Sequence, residues 1–120
     1  NLIDVGAIAT VAAIQSACFP ELKDGKVNHK IKTKKKLPVK ELPLTITVGK
    51  IGDNFVVDPT EAEEEAFDCR LSVAILPNDK ICALQKGGDH PIKVADMKKM
   101  LEIAITKSKE LRKIILEAEK

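Results

Sequence analysis

Aromatic side chains are almost absent from this chain of 120 residues. They make up 2% of it, and there is no tryptophan or tyrosine. Proteins that bind single-stranded nucleic acids without sequence preference use series of aromatic rings on which successive bases stack. Because only Phe19, Phe55 and Phe67 are available, we expect no base-stacking platform.

The spacings of metal ligands and of disulfide frameworks are missing too. The three cysteines, Cys18, Cys69 and Cys82, form no Cys-x-x-Cys motif, and the two histidines lie far apart in the sequence. Zinc sites and disulfide frameworks both need such paired spacings. We therefore expect no metal site, free thiols in a reducing compartment such as the cytoplasm, and inert core positions for Cys69 and Cys82.

Long apolar runs and catalytic motifs are also lacking. No stretch of 18 or more residues is uninterruptedly apolar, so we expect no helix that spans a membrane. The sequence contains neither a Gly-rich phosphate loop nor a nucleophile motif. It therefore predicts no self-contained active site and no bound cofactor.

The overall charge is nearly balanced, with 20 Lys and Arg against 18 Asp and Glu. This balance excludes a globally basic nucleic-acid-binding protein, although charge can still be segregated locally. The hydrophobic content of 44% is ordinary for a folded chain. A chain of this length forms one domain, or one domain with a short attachment.

Two segments have the periodicity of helices. Residues 2–17 are rich in alanine, isoleucine and valine at helical spacing, and Pro20 ends that segment. Residues 93–118 repeat an apolar side chain every three or four positions, and their other positions are largely charged. We predict a helix in each segment.

A first hairpin is predicted from an alternation that starts near residue 42. Gly52 and Asp53 form a two-residue turn, where glycine supplies the positive φ that such turns need. Counting outward from the turn pairs Val48 with Val57, which places apolar groups on a shared face.

A second hairpin is predicted about a turn at residues 77–79. Counting from that turn places Ile75 opposite Ile81 and Ala74 opposite Cys82. Both faces of the sheet then carry apolar residues, which predicts that both faces are covered. One face would hold Leu71, Val73, Ile75 and Ile81, and the other Ala74, Leu76, Cys82 and Leu84.

Together these elements predict an α+β fold. It is an antiparallel four-stranded sheet in the order ββαββα between helical layers, preceded by one Ala-rich helix. The helix and a basic connector occupy residues 1–40, and the ββαββα unit occupies residues 41–120. The short helix between the hairpins can be capped by Asp58 or Thr60.

The connector concentrates positive charge. Residues 23–40 hold eight lysines, and their alternation with apolar positions favours a short strand or an extended connector. Such a stretch either binds an RNA backbone by neutralising phosphates or is simply exposed to solvent. The candidate RNA-binding residues are Lys30, Lys32, Lys34, Lys35 and Lys36.

Negative charge is concentrated in residues 58–68. Carboxylates gathered at the end of a strand can hold Mg²⁺ or contact a partner, and the candidates are Asp58, Glu64 and Asp68. The alternative is a solvated helix start, because acidic residues in a first turn complement the helix dipole.

Several segments together resemble the ribonuclease PH family and, within it, the non-catalytic branch that belongs to the archaeal exosome ring. They include Asn1-Leu2-Ile3-Asp4, residues 42–49, and Val57-Asp58-Pro59-Thr60 followed by the run of glutamates. Residues 68–74 and 86–88 also fit. The resemblance covers nearly the whole chain and implies the same ββαββα order.

The resemblance implies a structural role in RNA degradation. Such subunits form heterodimers with a catalytic relative in a hexameric ring, which degrades RNA from its 3' end with inorganic phosphate as the attacking group. It implies no catalysis by this chain, since Asn1-Leu2-Ile3 stands roughly where catalytic members bind that phosphate. Asp58 matches their first aspartate, Glu64 falls near a later one, and Asp68 is displaced by about a helical turn.

Three further expectations remain open. The chain could be a metal-assisted phosphorolytic ribonuclease that uses Asp58, Glu64 and Asp68. It could also be a free-standing RNA-binding module that works through residues 23–40. In addition, the apolar face of the first helix predicts self-association, because an uncovered apolar face is unfavourable for a monomer.

Overall fold

The computed structural model describes residues 2–118, in which helices and strands follow the predicted order. The helices are α1 (Leu2–Ser16), α2 (Glu61–Glu65) and α3 (Val94–Ala118). The strands are β1 (Cys18–Lys23), β2 (Lys26–Lys36), β3 (Leu44–Ile51), β4 (Asn54–Val57), β5 (Cys69–Ile75) and β6 (Ile81–Gly87).

Strands β3 to β6 form an antiparallel sheet in the spatial order β4-β3-β5-β6. The pairing of Val48 with Val57 is confirmed. The two central strands contribute alternate side chains to one face, where they pack on the apolar stripe of α3. This core contains Ile46, Val48, Leu71, Val73 and Ile75 from the sheet and Met100 and Ala104 from α3.

The register of the second hairpin differs from the prediction by one residue. Ile75 lies opposite Ile81 as expected, but Ala74 pairs with Ala83, and Cys82 is the extra residue of a bulge. A bulge of one residue moves every later side chain to the other face. The assignment of Leu84 to the face of Ala74 was therefore wrong, because Leu84 pairs with Val73.

The bulge also exposes a thiol that was expected to lie in the core. Cys82 is exposed, and its Sγ lies 3.4 Å from the carbonyl oxygen of Ala74. Cys69 is buried as predicted. The same strand, β6, is exposed along residues 81–86, so this edge of the sheet faces solvent.

The face of the sheet opposite α3 is polar rather than apolar. Thr45 pairs with Ala74 and Thr47 with Ser72, so small and hydroxyl-bearing side chains line it. Helix α1 packs beside β3, where it lines one depression with Thr47 and another with α3, while α3 packs on the apolar face of the sheet. The predicted antiparallel sheet and helices are thus present, but α1 is not a layer held by a second apolar face of the sheet.

A carboxylate from α1 holds that helix in place. Asp4 is buried, its Oδ2 accepts a hydrogen bond of 2.7 Å from the Thr47 amide, and its Oδ1 accepts one of 2.7 Å from the Thr47 hydroxyl. The Thr47 hydroxyl also lies 2.8 Å from that of Ser72. These three side chains form a satisfied polar network, which we call the Asp4 network.

The region predicted as a connector is a hairpin. Strands β1 and β2 pair antiparallel about a turn at Asp24 and Gly25, and β1 contains the Pro20 that we expected only to end the first helix. Within residues 2–118, neither strand packs extensively on another helix or strand, and the molecule measures 61 × 28 × 25 Å. The hairpin is therefore an appendage of the folded body.

Among the described residues, no helix combines the length and apolar character needed to cross a lipid bilayer.

Replacing Asp4 should loosen α1 from the sheet. We expect Asp4→Ala to lower the free energy of unfolding by about 2 to 4 kcal/mol, since it leaves a buried amide without its acceptor and removes charge-assisted hydrogen bonds. Asp4→Asn should cost less, because its amide oxygen can still accept one bond. Urea unfolding measures the change.

The exposed acidic residue Glu102 on α3 provides the control. Glu102→Ala should change the free energy of unfolding by no more than about 0.5 kcal/mol, as surface substitutions usually do. Equal costs at Asp4 and Glu102 would contradict the role of the Asp4 network.

Candidate functional site

The acidic segment begins where the chain turns out of β4. Asp58 adopts a left-handed conformation with φ of 57°, and Pro59 follows it. Thr60 then caps α2: its amide donates a hydrogen bond of 2.8 Å to Glu63 Oε2, and its hydroxyl oxygen accepts one of 3.4 Å from the Glu63 amide. Of the two predicted caps, the structure uses Thr60, in a reciprocal capping box.

The capping box changes the acidity of one glutamate. Hydrogen bonds from the Thr60 amide and then from its hydroxyl stabilise the carboxylate and hold the pKa of Glu63 below its ordinary value. The group is exposed, and desolvation opposes this shift only weakly. The Glu63 carboxylate therefore stabilises the N-terminal end of α2.

The third candidate carboxylate secures the turn of the first hairpin. Asp68 Oδ2 accepts a hydrogen bond of 2.7 Å from the Gly52 amide, and the Asp68 amide donates one of 2.9 Å to the carbonyl of Lys50. The carbonyl oxygen of Asp68 lies 3.2 Å from Nδ1 of His90, which is exposed. Asp68 thus joins the chain after α2 to the β3–β4 turn.

The other two candidate carboxylates line different depressions. Asp58 borders a groove between α1 and α3 together with Lys107. Glu64 borders a separate cleft near the start of α1. In the described part of the chain, no group of three or more His, Cys, Asp or Glu side chains is placed to hold a metal ion. The three predicted carboxylates are therefore not assembled into such a group.

The cleft beside Glu64 has a volume of about 250 Å³. It lies at the junction of α1, α2 and the polar face of the sheet, and the Asp4 network holds α1 against β3 there. Its hydroxyl group, that of Thr47, is already hydrogen-bonded to Asp4. Its lining residues are Leu2, Ile3, Thr47, Pro59, Glu64, Phe67 and Arg70.

Two glycines let large side chains form this cleft. A Cβ on Gly49 would collide with the ring of Phe67, and one on Gly87 would come within 2.9 Å of Nε of Arg70. Phe67 and Arg70 therefore lie close to the strands where neighbouring residues have no side chain. The cleft offers apolar walls, one cation and one anion, a composition that suits binding better than acid–base catalysis.

The sequence-based search missed the residues that shape the cleft. Asp4 was noticed only as part of a resembling segment, and neither Arg70 nor Phe67 was singled out. A usable signal for Asp4 was its position as a lone carboxylate in an otherwise apolar helix. Such a residue, if buried, must find hydrogen-bond donors.

The five candidate lysines all lie on β2 and are exposed. They are separate from the cleft, because β2 packs extensively on β1 alone. The hairpin also brings in an aromatic ring that sequence spacing did not reveal, since Nζ of Lys35 lies 5.5 Å from the centre of the Phe19 ring. The lysines and the carboxylates therefore do not form one site.

Comparison with protein families gives a match over residues 41–107, to the family described as "3' exoribonuclease family, domain 2". This chain belongs to the 3' exoribonuclease family. The matched region runs from just before β3 into α3 and includes the cleft-lining residues Phe67 and Arg70. The resemblance to the ribonuclease PH family is confirmed, as is the predicted fold class.

Curated relatives of this family member share sequence along almost its whole length. It is 37% identical over 113 residues to exosome complex component Rrp42 of Methanothermobacter thermautotrophicus. The aligned region covers 92% of this chain and 42% of the relative. It is also 37% identical over 121 residues to Rrp42 of Pyrococcus horikoshii, covering 98% of this chain and 44% of the relative. The chain thus spans less than half the length of these relatives.

Solved structures agree with the sequence comparison. A chain of the Archaeoglobus fulgidus exosome with RNA bound to the active site superposes with a TM-score of 0.80 at 26% identity, over 96% of this chain and 43% of that one. A chain of an archaeal exosome core gives a TM-score of 0.79 at 27% identity, over 93% of this chain and 43% of that chain.

The pKa of Glu63 predicts how the start of α2 responds to acid. Because the pKa is depressed in the folded state, the stabilisation by the capping box is present above the ordinary glutamate pKa and is lost as pH falls through the folded value. We expect the Thr60 amide to lose protection from hydrogen exchange in that range. In Glu63→Gln this change should be absent, and an identical titration in that variant would refute the capping role.

Proposed function

We propose that this chain is part of a non-catalytic ring subunit of an archaeal exosome. In this role it pairs with a catalytic ribonuclease PH-type subunit in heterodimers of a hexameric ring. The ring degrades RNA in the cytoplasm from the 3' end, with phosphate as the attacking group. The observation that carries the proposal is 37% identity to an Rrp42 exosome component across 98% of this chain.

The site geometry supports a structural rather than a catalytic contribution. The Asp68 carboxylate accepts a hydrogen bond from the Gly52 amide, the Glu63 carboxylate caps α2, and the Thr47 hydroxyl is bonded to Asp4. Asp58 and Glu64 border separate depressions. These polar groups are hydrogen-bonded within the fold or line its surface depressions. Residues 58–68 can therefore shape a surface beside a partner's active site.

We further propose the domain division that the sequence indicates. Residues 1–40 would belong to the end of a first ribonuclease PH-like domain, and residues 41–120 would form the second. The family match over residues 41–107 and the packing of α1 on β3 are both compatible with this division.

An assay of phosphate-dependent RNA degradation tests the absence of catalysis. We expect this chain alone to release no nucleoside diphosphates from RNA, with or without Mg²⁺, because the carboxylates of residues 2–118 are not gathered around a metal position. The catalytic partner alone or in complex provides the positive control.

The same assay decides the metal-assisted alternative. Turnover by the chain alone that disappears in the variant Asp58→Asn, Glu64→Gln, Asp68→Asn would overturn the non-catalytic role. Turnover that survives in this variant would point to a contaminating nuclease, and the measurement would then be repeated on repurified chain.

A further inference from the structure

The hairpin formed by β1 and β2, residues 18–36, is the most unevenly charged part of the molecule; we call it the basic arm. It carries seven lysines against two acidic residues, Glu21 and Asp24. All seven lysines are exposed. Within residues 2–118, none of their ammonium groups forms an ion pair, whereas Lys50, Lys107 and Lys109 elsewhere do. The charge of the basic arm is therefore not neutralised by the chain itself.

The register of the basic arm arranges several lysines in a row. Lys32 lies opposite Pro20 and Lys36 opposite Cys18, so these two lysines share one face of β2, and Lys34 lies between them where the register shifts. Alternate side chains on an extended strand stand about 6.7 Å apart. Lys35 lies on the other face, beside Phe19. The arm thus presents positive charge along its length and from both faces.

This arrangement is unfavourable for the basic arm on its own. Lys23 and Lys26 lie directly opposite each other next to the turn, and like charges in that position destabilise a strand pair. An isolated two-stranded hairpin is at best marginally stable in water. A polyanion that contacts several lysines at once would remove this repulsion and stabilise the arm.

We infer that the basic arm binds the sugar–phosphate backbone of RNA through Lys30, Lys32, Lys34, Lys35 and Lys36. Lysine contacts phosphate as a point charge and does not read bases, and Phe19 is the one aromatic residue on the arm. Binding is therefore independent of base sequence and sensitive to salt. The exposed apolar pair Leu22 and Val27 lies at the tip, beyond this row.

The choice of RNA as the polyanion rests on the proposed function. The inference that the basic arm binds a polyanion rests only on its exposed lysines. An acidic protein surface is the competing partner. The two differ in experiment, because only the first predicts that the isolated 120-residue chain binds RNA through these lysines.

Fluorescence anisotropy with a labelled single-stranded RNA of mixed sequence tests the inference. One variant carries Lys30→Gln, Lys32→Gln, Lys34→Gln and Lys36→Gln. A matched control carries Lys93→Gln, Lys98→Gln, Lys107→Gln and Lys113→Gln, which removes the same charge from exposed positions in and next to α3. Both variants should fold, because the first set lies on the basic arm and the second consists of exposed side chains, of which Lys107 loses only a surface ion pair with Glu110.

We expect the arm variant to bind RNA at least tenfold more weakly than the control at low salt. Its slope of log affinity against log salt should be smaller by up to about 3, since each phosphate contact with a single strand contributes about 0.7. Equal affinities of the arm variant and the control, or no RNA binding by the unaltered chain, would overturn the inference. Pairing of each variant with the catalytic subunit is measured separately, so failure of the ring role would be recognised independently.

Discussion

The hydrogen bonds from Thr47 to the buried carboxylate of Asp4 determine how α1 lies on the sheet. Thr47, which the start of α1 contacts, is polar, so apolar burial alone does not orient the helix there. Charge-assisted hydrogen bonds are directional and stronger than neutral ones, and they fix both the position and the rotation of α1. The cleft lined by Leu2 and Arg70 exists because this contact brings the start of α1 against β3.

A second contact ties α3 to the residues just before β3 and to the end of β5. The Arg112 guanidinium donates hydrogen bonds of 3.0 Å to the carbonyl of Leu42 and 3.1 Å to the carbonyl of Ile75. Burial lowers the pKa of Arg112, and the nearby charge of Asp79 opposes that shift. Together with the apolar core, Asp4 and Arg112 hold α1 and α3 against the central part of the sheet.

Much of this fold could be predicted from local patterns. The alternation around Val48 and the turn at Gly52 specified the first hairpin, and the apolar repeat specified α3. Residues that act through distant contacts could not be predicted in this way. The Asp4 network joins positions 43 residues apart, and no local pattern reports such a contact.

The remaining differences have local physical causes. The bulge at Cys82 adds one residue to β6, which moved Leu84 to the other face and exposed the thiol. Strand β1 was missed because Pro20 argues against a strand, although a proline can be accommodated in a two-stranded hairpin where one side of each strand has no neighbour. The charged residues of the candidate site could be identified from the sequence. Only the structure shows that the lysines lie on the basic arm, whereas the acidic residues cap α2 or hold the β3–β4 turn.

We propose that this member of the 3' exoribonuclease family pairs with a catalytic relative. The most direct measurement is the solution mass of the chain, alone and mixed with a catalytic ribonuclease PH-type exosome subunit, by light scattering after size-exclusion chromatography. We expect a stable, stoichiometric complex in the mixture. Separate elution of the two proteins, with this chain as a monomer or as a self-associated species, would contradict it.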